Sequence, residues 1–331
     1  MEPWYLYVGF IGFVIAMLLV DLKFFHAEEH DPSPRESGIW VGVWVGLAIT
    51  FGIIVFFWKG SSTAAEYFAG YLIEYSLSVD NMFVFVLIFS YFKVPLKYQH
   101  QVLFFGILGA MIFRGIFIVL GVALIERFEW VIYVFGAFLI YTAIKIARGT
   151  EEVHPEDNPI LNFATRHVPS TTKFDGQKLF TIENGKRVAT PLFIVLLFIE
   201  LTDIVFAIDS IPAIFAITLD PFIVLTSNVF AILGLRALYF LLADFMDRFH
   251  LLKYGLAVIL GFVGLKMLGT AIGCGTESMF CQNHHVTVPI WLSLAIIVGT
   301  LAATIVLSLK IAPKHDVDPP YEDDNEDRRL A

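Results

Sequence analysis

Nine apolar stretches of about 20 residues recur along this chain, and they decide the fold class before anything else. A helix of that length spans about 30 Å, the hydrocarbon thickness of a bilayer. The stretches run over 4–24, 38–58, 65–91, 101–125, 128–147, 189–216, 222–246, 253–272 and 288–311. Of the 331 residues, 57% are hydrophobic and only 16% charged, with a mean hydropathy of +0.74. Soluble domains carry about 25% charged residues. The reading is an all-α, multi-pass membrane protein whose surroundings are the lipid bilayer, here a cell (inner or plasma) membrane. The N-terminus MEPW lacks the basic region of a signal peptide, so the first stretch is expected to remain as a helix.

Lysine and arginine set the orientation. With the N-terminus outside, seventeen of the 22 fall in inner segments and helix ends, and two, Lys59 and Arg127, fall outside. The other three, Arg114, Arg236 and Lys266, lie within spans. Nine spans, N-out and C-in, follow. The net charge of −9 is concentrated in an acidic tail at Asp316–Asp327, read as a short disordered end. No basic stripe points to nucleic acid. No phosphate cradle or nucleophile elbow is present in the sequence, so neither an enzyme nor a resident cofactor is expected.

Polar residues interrupt two of the stretches. EYSLSVDNMF spans Glu74 to Phe83, and ELTDIVFAIDSIPA spans Glu200 to Ala213. Aligned, they pair Glu74 with Asp203, Asp80 with Asp209, and Asn81 with Ser210. Each island is followed one span later by an arginine, Arg114 or Arg236, and then by a further span. These are two three-helix units. Three crossings separate the islands, so the units run in opposite directions, which is the inverted-repeat plan of secondary transporters. The organisation is then two N-terminal helices with a cytoplasmic loop (1–60), the first unit (61–147), a cytoplasmic loop (148–187), the second unit (188–272), an outer loop with the last helix (273–312), and the tail (313–331).

Glu74, Asp80, Glu200, Asp203 and Asp209 face Arg114, Arg236 and Lys266 in this accounting. Each ionised group at a helix centre costs about 2.5–3.5 kcal/mol on the insertion scale, so they must share a polar interior. Five acids against three bases leave two negative charges, which a divalent cation would neutralise. Carboxylate, amide, hydroxyl and carbonyl oxygens suit Mg²⁺, Mn²⁺ or Ca²⁺, and the islands hold no Cys or His of a zinc-type cage. Glu74, Ser78 and Asn81 share one helical face, as do Glu200, Asp203, Ala207 and Ser210. Asp80 and Asp209 sit about 100° round from their following residues. They join those faces only where the helix unwinds, or else meet a different neighbour. Pro212, which leaves the Ile208 carbonyl without its donor, supplies a reason for unwinding in the second island.

Weaker signals complete the reading. Thr226, Ser227 and Asn228 enter the seventh span and line the pathway or cap a break. Gly106, Gly109, Gly234, Gly261 and Gly264 read as close-packing positions, and Met82 and Phe83 as packing. The loop Ala147–Lys186 contains KLFTI before an EN-G turn, which predicts a short hairpin. Cys274 and Cys281 fall in an outer loop, where a disulfide and two free thiols both remain open. His284 and His285 beside them read as solvated, with a peripheral metal contact as the alternative.

The islands resemble the TerC family of integral membrane proteins, including its Alx-like manganese exporters. The likeness rests on GYLIEYSLSVDNMFVF, ATPLFIVLLFIELTDIVFAIDSIPAIFAIT and DPFIVLTSNVFAILGLRALYFLLA and covers nearly the whole chain. It implies export of Mn²⁺, the transported ion, from the cytoplasm, and metal supply to exported metalloproteins. It also implies metal-ligand roles for Glu74, Asp80, Asn81, Glu200, Asp203, Asp209 and Ser210, with Arg114 and Arg236 balancing charge. The outer cysteine loop and acidic tail depart from the family pattern. Two alternatives stand beside export: a non-transporting membrane scaffold assisting metal loading or assembly of exported proteins, and a tellurium-resistance or redox-modulating membrane protein.

Overall fold

Where no water reaches the backbone, amides and carbonyls are satisfied within helices, and the apolar stretches of the computed structural model fold accordingly. The structure describes residues 3–25, 34–128, 130–148, 168–183, 185–242, 251–274 and 288–311. Its helices are α1 (Trp4–Phe25), α2 (Pro34–Lys59), α3 (Ser61–Tyr91), α4 (Leu96–Arg127), α5 (Val131–Ala147), α6 (Pro191–Phe215), α7 (Pro221–Leu233), α8 (Leu235–Leu242), α9 (Leu252–Cys274) and α10 (Ile290–Lys310). Among the described residues, seven segments are by length and composition able to cross a membrane, with α7 and α8 counted together. Trp4–Val20 of α1 and all of α5 are apolar but shorter.

Helix ends follow local chemistry. Asp220 caps α7 by accepting from the amides of Phe222 (3.0 Å) and Ile223 (3.4 Å), and Pro221 occupies the first turn, where its missing N–H is no loss. The same Asp220 carboxylate accepts from Lys59 Nζ at 2.6 Å, tying the end of α2 to the start of α7. Pro191 likewise opens α6.

One helix break appears that the sequence pattern did not mark, and one that it left open does not form. The predicted seventh span, 222–246, is two helices that meet at Gly234, with 243–246 outside the described residues. Conversely, α6 runs unbroken through Pro212, and α3 runs unbroken through Asp80. A proline removes one hydrogen bond from a helix, and the packing of Ile211, Ala213 and Ile214, all buried, holds the turn.

Glycines set the closest approach between helices. α5 and α9 pack together along much of their length, and a Cβ on Gly264 would lie 2.9 Å from the Gly136 carbonyl oxygen. A Cβ on Gly70 of α3 would lie 2.9 Å from Ser227 Oγ of α7. The other main partnerships are α3 with α7, α4 with α6, α3 with α6, and α4 with α7. α2 lies against α3 and α8, and α10 against α3 and α9.

The predicted hairpin is present. Strands β1 (Phe180–Glu183) and β2 (Lys186–Ala189) pair antiparallel from Phe180↔Ala189 to Glu183↔Lys186, and Gly185 takes φ +74° in the turn. Beside it, Asp175 accepts from Thr181 (2.8 Å) and Lys178 (3.1 Å), bonds that hold its carboxyl below the usual range. Thr190 Oγ1 donates to the Lys178 carbonyl at 2.7 Å and so anchors the hairpin at the start of α6. Cys281, His284, His285, the acidic tail and 149–167 lie outside the described residues.

Candidate functional site

α3 carries Glu74 and Ser78 one turn apart, and Ser78 Oγ donates to Glu74 Oε1 at 3.3 Å. Asn228 of α7 donates its Nδ2 to Glu74 Oε2 at 2.9 Å. Arg114 of α4 completes the shell. Its Nη1 donates to Glu74 Oε1 and, at 3.4 Å, to Ser210 Oγ of α6. Its Nε and Nη2 reach the two oxygens of Asp203 at 3.3 and 3.1 Å, a fork onto one carboxylate. Glu74, Arg114 and Asp203 are 0%, 1% and 5% exposed.

One guanidinium therefore holds a carboxylate from each of the two islands. Two ionised carboxylates against one arginine leave the cluster one negative charge. Its oxygens are of the hard type: carboxylate, hydroxyl and amide. A buried set like this is stable only when complete, because removing one partner strands a charge in a dry medium.

The remaining sequence-predicted residues fall around this cluster. Asn81 is buried on α3, one turn beyond Ser78. Glu200 lies one turn before Asp203 with its carboxylate close against Gly109 of α4, where a Cβ would clash with Oε1. Glu200 Oε2 is buried and has no hydrogen-bond partner. Asp209 faces a different neighbour: Thr142 Oγ1 of α5 donates to it at 3.1 Å. Asp80 is half-buried on α3. The hydrogen bonds of Arg114 reach neither Asp80 nor Asp209. Arg236 is buried at the start of α8, and Lys266 is half-buried on α9. Among the described residues, no three His, Cys, Asp or Glu side chains stand close enough together to hold a metal ion by themselves.

Of the TSN run, Thr226 and Ser227 satisfy carbonyls of their own helix, at Phe222 (2.8 Å) and Val224 (3.1 Å). Asn228 alone of the three bonds to the acid cluster. Thr142 went unnoticed in the sequence, where a single threonine in YTAI carries little signal. A second buried polar pair was also missed: Tyr239 OH donates to Gln99 Oε1 at 2.9 Å, and Gln99 Nε2 donates to the Val94 carbonyl.

Long apolar helices around a buried, charged, hydrogen-bonded centre define a polytopic integral membrane protein with an internal ionic site. The chain belongs to the integral membrane protein TerC family, whose model matches residues 59–316. It is 49% identical over 319 residues to the "Uncharacterized membrane protein STKORF319" of Myxococcus xanthus, covering 95% of this chain and 96% of that one. It is 43% identical over 322 residues to the "Putative membrane-bound redox modulator Alx" of Escherichia coli (strain K12), covering 94% and 96%. The "Thylakoid membrane protein TERC, chloroplastic" of Arabidopsis thaliana is 48% identical over 241 residues, covering 72% of this chain and 63% of that one. No solved structure matches.

Proposed function

We propose that the chain is a secondary transporter that exports divalent cations, Mn²⁺ first among them, across the cell membrane. The observation that carries this reading is the Glu74–Arg114–Asp203 cluster, hard oxygens from both islands held in a dry interior by one arginine. In the ion-free state Arg114 satisfies the acids. An entering cation displaces the guanidinium, and Glu74, Asp203, Asn81 and Ser210 supply its oxygens. Asp80, Asp209 and Glu200 lie along the path, and the partnerless Oε2 of Glu200 adds a further acceptor. Arg236 balances charge in the second unit. The choice of Mn²⁺ and the outward direction follow the family resemblance; the ligand chemistry itself admits Mg²⁺ and Ca²⁺.

The helix packing supports an inverted repeat. Exchanging α3 with α6, α4 with α7–α8, and α5 with α9 turns the α3–α7 partnership into α6–α4 and returns α5–α9 and α3–α6 to themselves. Rocking of the two units about the cluster then gives alternating access.

Liposomes containing the purified chain and a manganese-sensitive dye test the reading. Wild type is expected to move Mn²⁺, and Asp203→Asn and Asp80→Asn to lose most of that flux. Unchanged flux in both variants eliminates the site. The name of the Escherichia coli relative favours a second reading, redox modulation. On that reading a Cys274→Ser/Cys281→Ser chain loses function, whereas the transport reading leaves its Mn²⁺ flux intact.

A further inference from the structure

α1 leans on the rest of the molecule chiefly through α7, and beside that contact it leaves a slot of about 680 Å³. The slot is walled by α1 from Tyr7 to Leu18, by α4 from Leu108 to Leu120 and by α7 from Pro221 to Val229. The Tyr7 hydroxyl is the one side-chain oxygen in that wall. A buried water needs about two to four polar partners, so the slot is not a water site. Nor is it sealed. Ile11 and Ile15 on one wall, and Ile112 and Val119 on the other, are each half exposed or more, so it opens toward the surrounding bilayer.

Its depth and its ends match one leaflet. From Tyr7 to Leu18 α1 rises about 17 Å, roughly half of a hydrocarbon core about 30 Å thick. At one end, Phe222 packs edge-on with Tyr7 at 5.3 Å and with Trp58 at 6.0 Å, and Lys59 Nζ stands 6.0 Å from the same ring. Tyrosine, tryptophan and lysine collect at the membrane–water boundary, apolar body inward and polar tip in water. From that boundary the slot runs inward beside α1 and α7, which lie parallel: Phe10 meets Phe222, and both Phe10 and Phe13 meet Phe230.

We infer that the slot is a binding site for one acyl chain of a membrane phospholipid, entering from the leaflet that holds the Lys59–Asp220 pair. Methylene groups gain dispersion contacts from both walls, which an unfilled gap would forfeit along much of α1. Arg114 and Asn228 stand on the same stretches of α4 and α7 that wall the slot. The lipid therefore braces, against α1, the two helices that donate to Glu74. This needs only the membrane setting and is independent of the transport reading.

Gly115 supplies the test. It lines the slot, and a Cβ there would meet nothing within 4 Å, so a larger side chain enters the slot without displacing protein. Gly299 of α10 is equally open but lies outside the slot. The full chain is delipidated in detergent and titrated with dioleoyl phosphatidylethanolamine. Bound lipid is counted by native mass spectrometry, with Tm measured alongside. Wild type and Gly299→Leu are expected to hold a single tightly bound lipid and to gain Tm on its addition. Gly115→Leu, and Ile15→Trp from the opposite wall, are expected to hold it about tenfold more weakly and to gain little Tm. No lipid retained by wild type, or equal retention in all three variants, overturns the inference. So does a dimer that forms in wild type and is lost in both filled variants, because a second copy then occupies the slot.

Discussion

Arg114 is the one cation, among the described residues, seen to pair with both Glu74 and Asp203. Its fork onto Asp203 and its bond to Glu74 are made in a medium where an uncompensated charge is destabilising by about 3–5 kcal/mol. Arg114→Ala is expected to lower stability by that amount, read as a drop in Tm of the detergent-solubilised protein. Arg114→Lys keeps the charge but loses the planar fork, and is expected to fall between the two. Added Mn²⁺ separates a structural arginine from one that stands in for a cation. If the ion replaces the guanidinium, millimolar Mn²⁺ raises the Tm of Arg114→Ala more than that of wild type, because it binds the folded state without displacing a competitor. Equal shifts in the two proteins refute the stand-in role.

At the scale of elements, glycine marks the contacts that cannot be loosened. On Gly264 an added methyl would press on the Gly136 carbonyl, which is backbone and cannot swing aside. Gly264→Ala is expected to cost about 1–3 kcal/mol. Gly269→Ala, in the same helix with open space around it, is expected to be neutral or slightly stabilising. Thermal unfolding of the two variants side by side checks this, and equal effects would show that the α5–α9 crossing tolerates separation. Much of this level was legible beforehand. Apolar length gave the helices, and KLFTI with its EN-G turn gave the hairpin. The spacing of Glu74, Ser78 and Asn81 gave the face that meets Arg114. Spacing also gave the offset of Asp80 and Asp209, but it could not say which neighbour Asp209 would find. That neighbour is Thr142, set by the packing of α5 beside α6, which no local pattern encodes. Pro212 left unwinding and a different neighbour both open, and tertiary packing, which keeps α6 helical, decides for the second. The sequence also held nothing to say that one arginine would serve both acids, since Glu74 and Asp203 reach Arg114 from helices far apart in the chain.

For the whole molecule, the inverted arrangement depends on a parity that α5 puts at risk. With 17 residues it reaches about 25 Å, short of the hydrocarbon thickness, and it is apolar throughout. A stretch this short crosses by thinning the bilayer locally or by letting its flanks snorkel, and Lys145 and Arg148 at its end suit the second. If α5 crosses, three spans separate Ser62 from Lys178, and the two lie on opposite sides of the membrane. Both are exposed. In a chain with Cys274 and Cys281 changed to Ser, Ser62→Cys is expected to react with a membrane-impermeant thiol reagent on intact cells, and Lys178→Cys only after permeabilisation. Labelling of both on intact cells, or of neither, would place them on one side and remove the inverted repeat. The reverse pattern would keep the repeat but turn the molecule over, against the bias of lysine and arginine. The expected pattern leaves the Lys59–Asp220 pair on the outer face and the hairpin on the inner one.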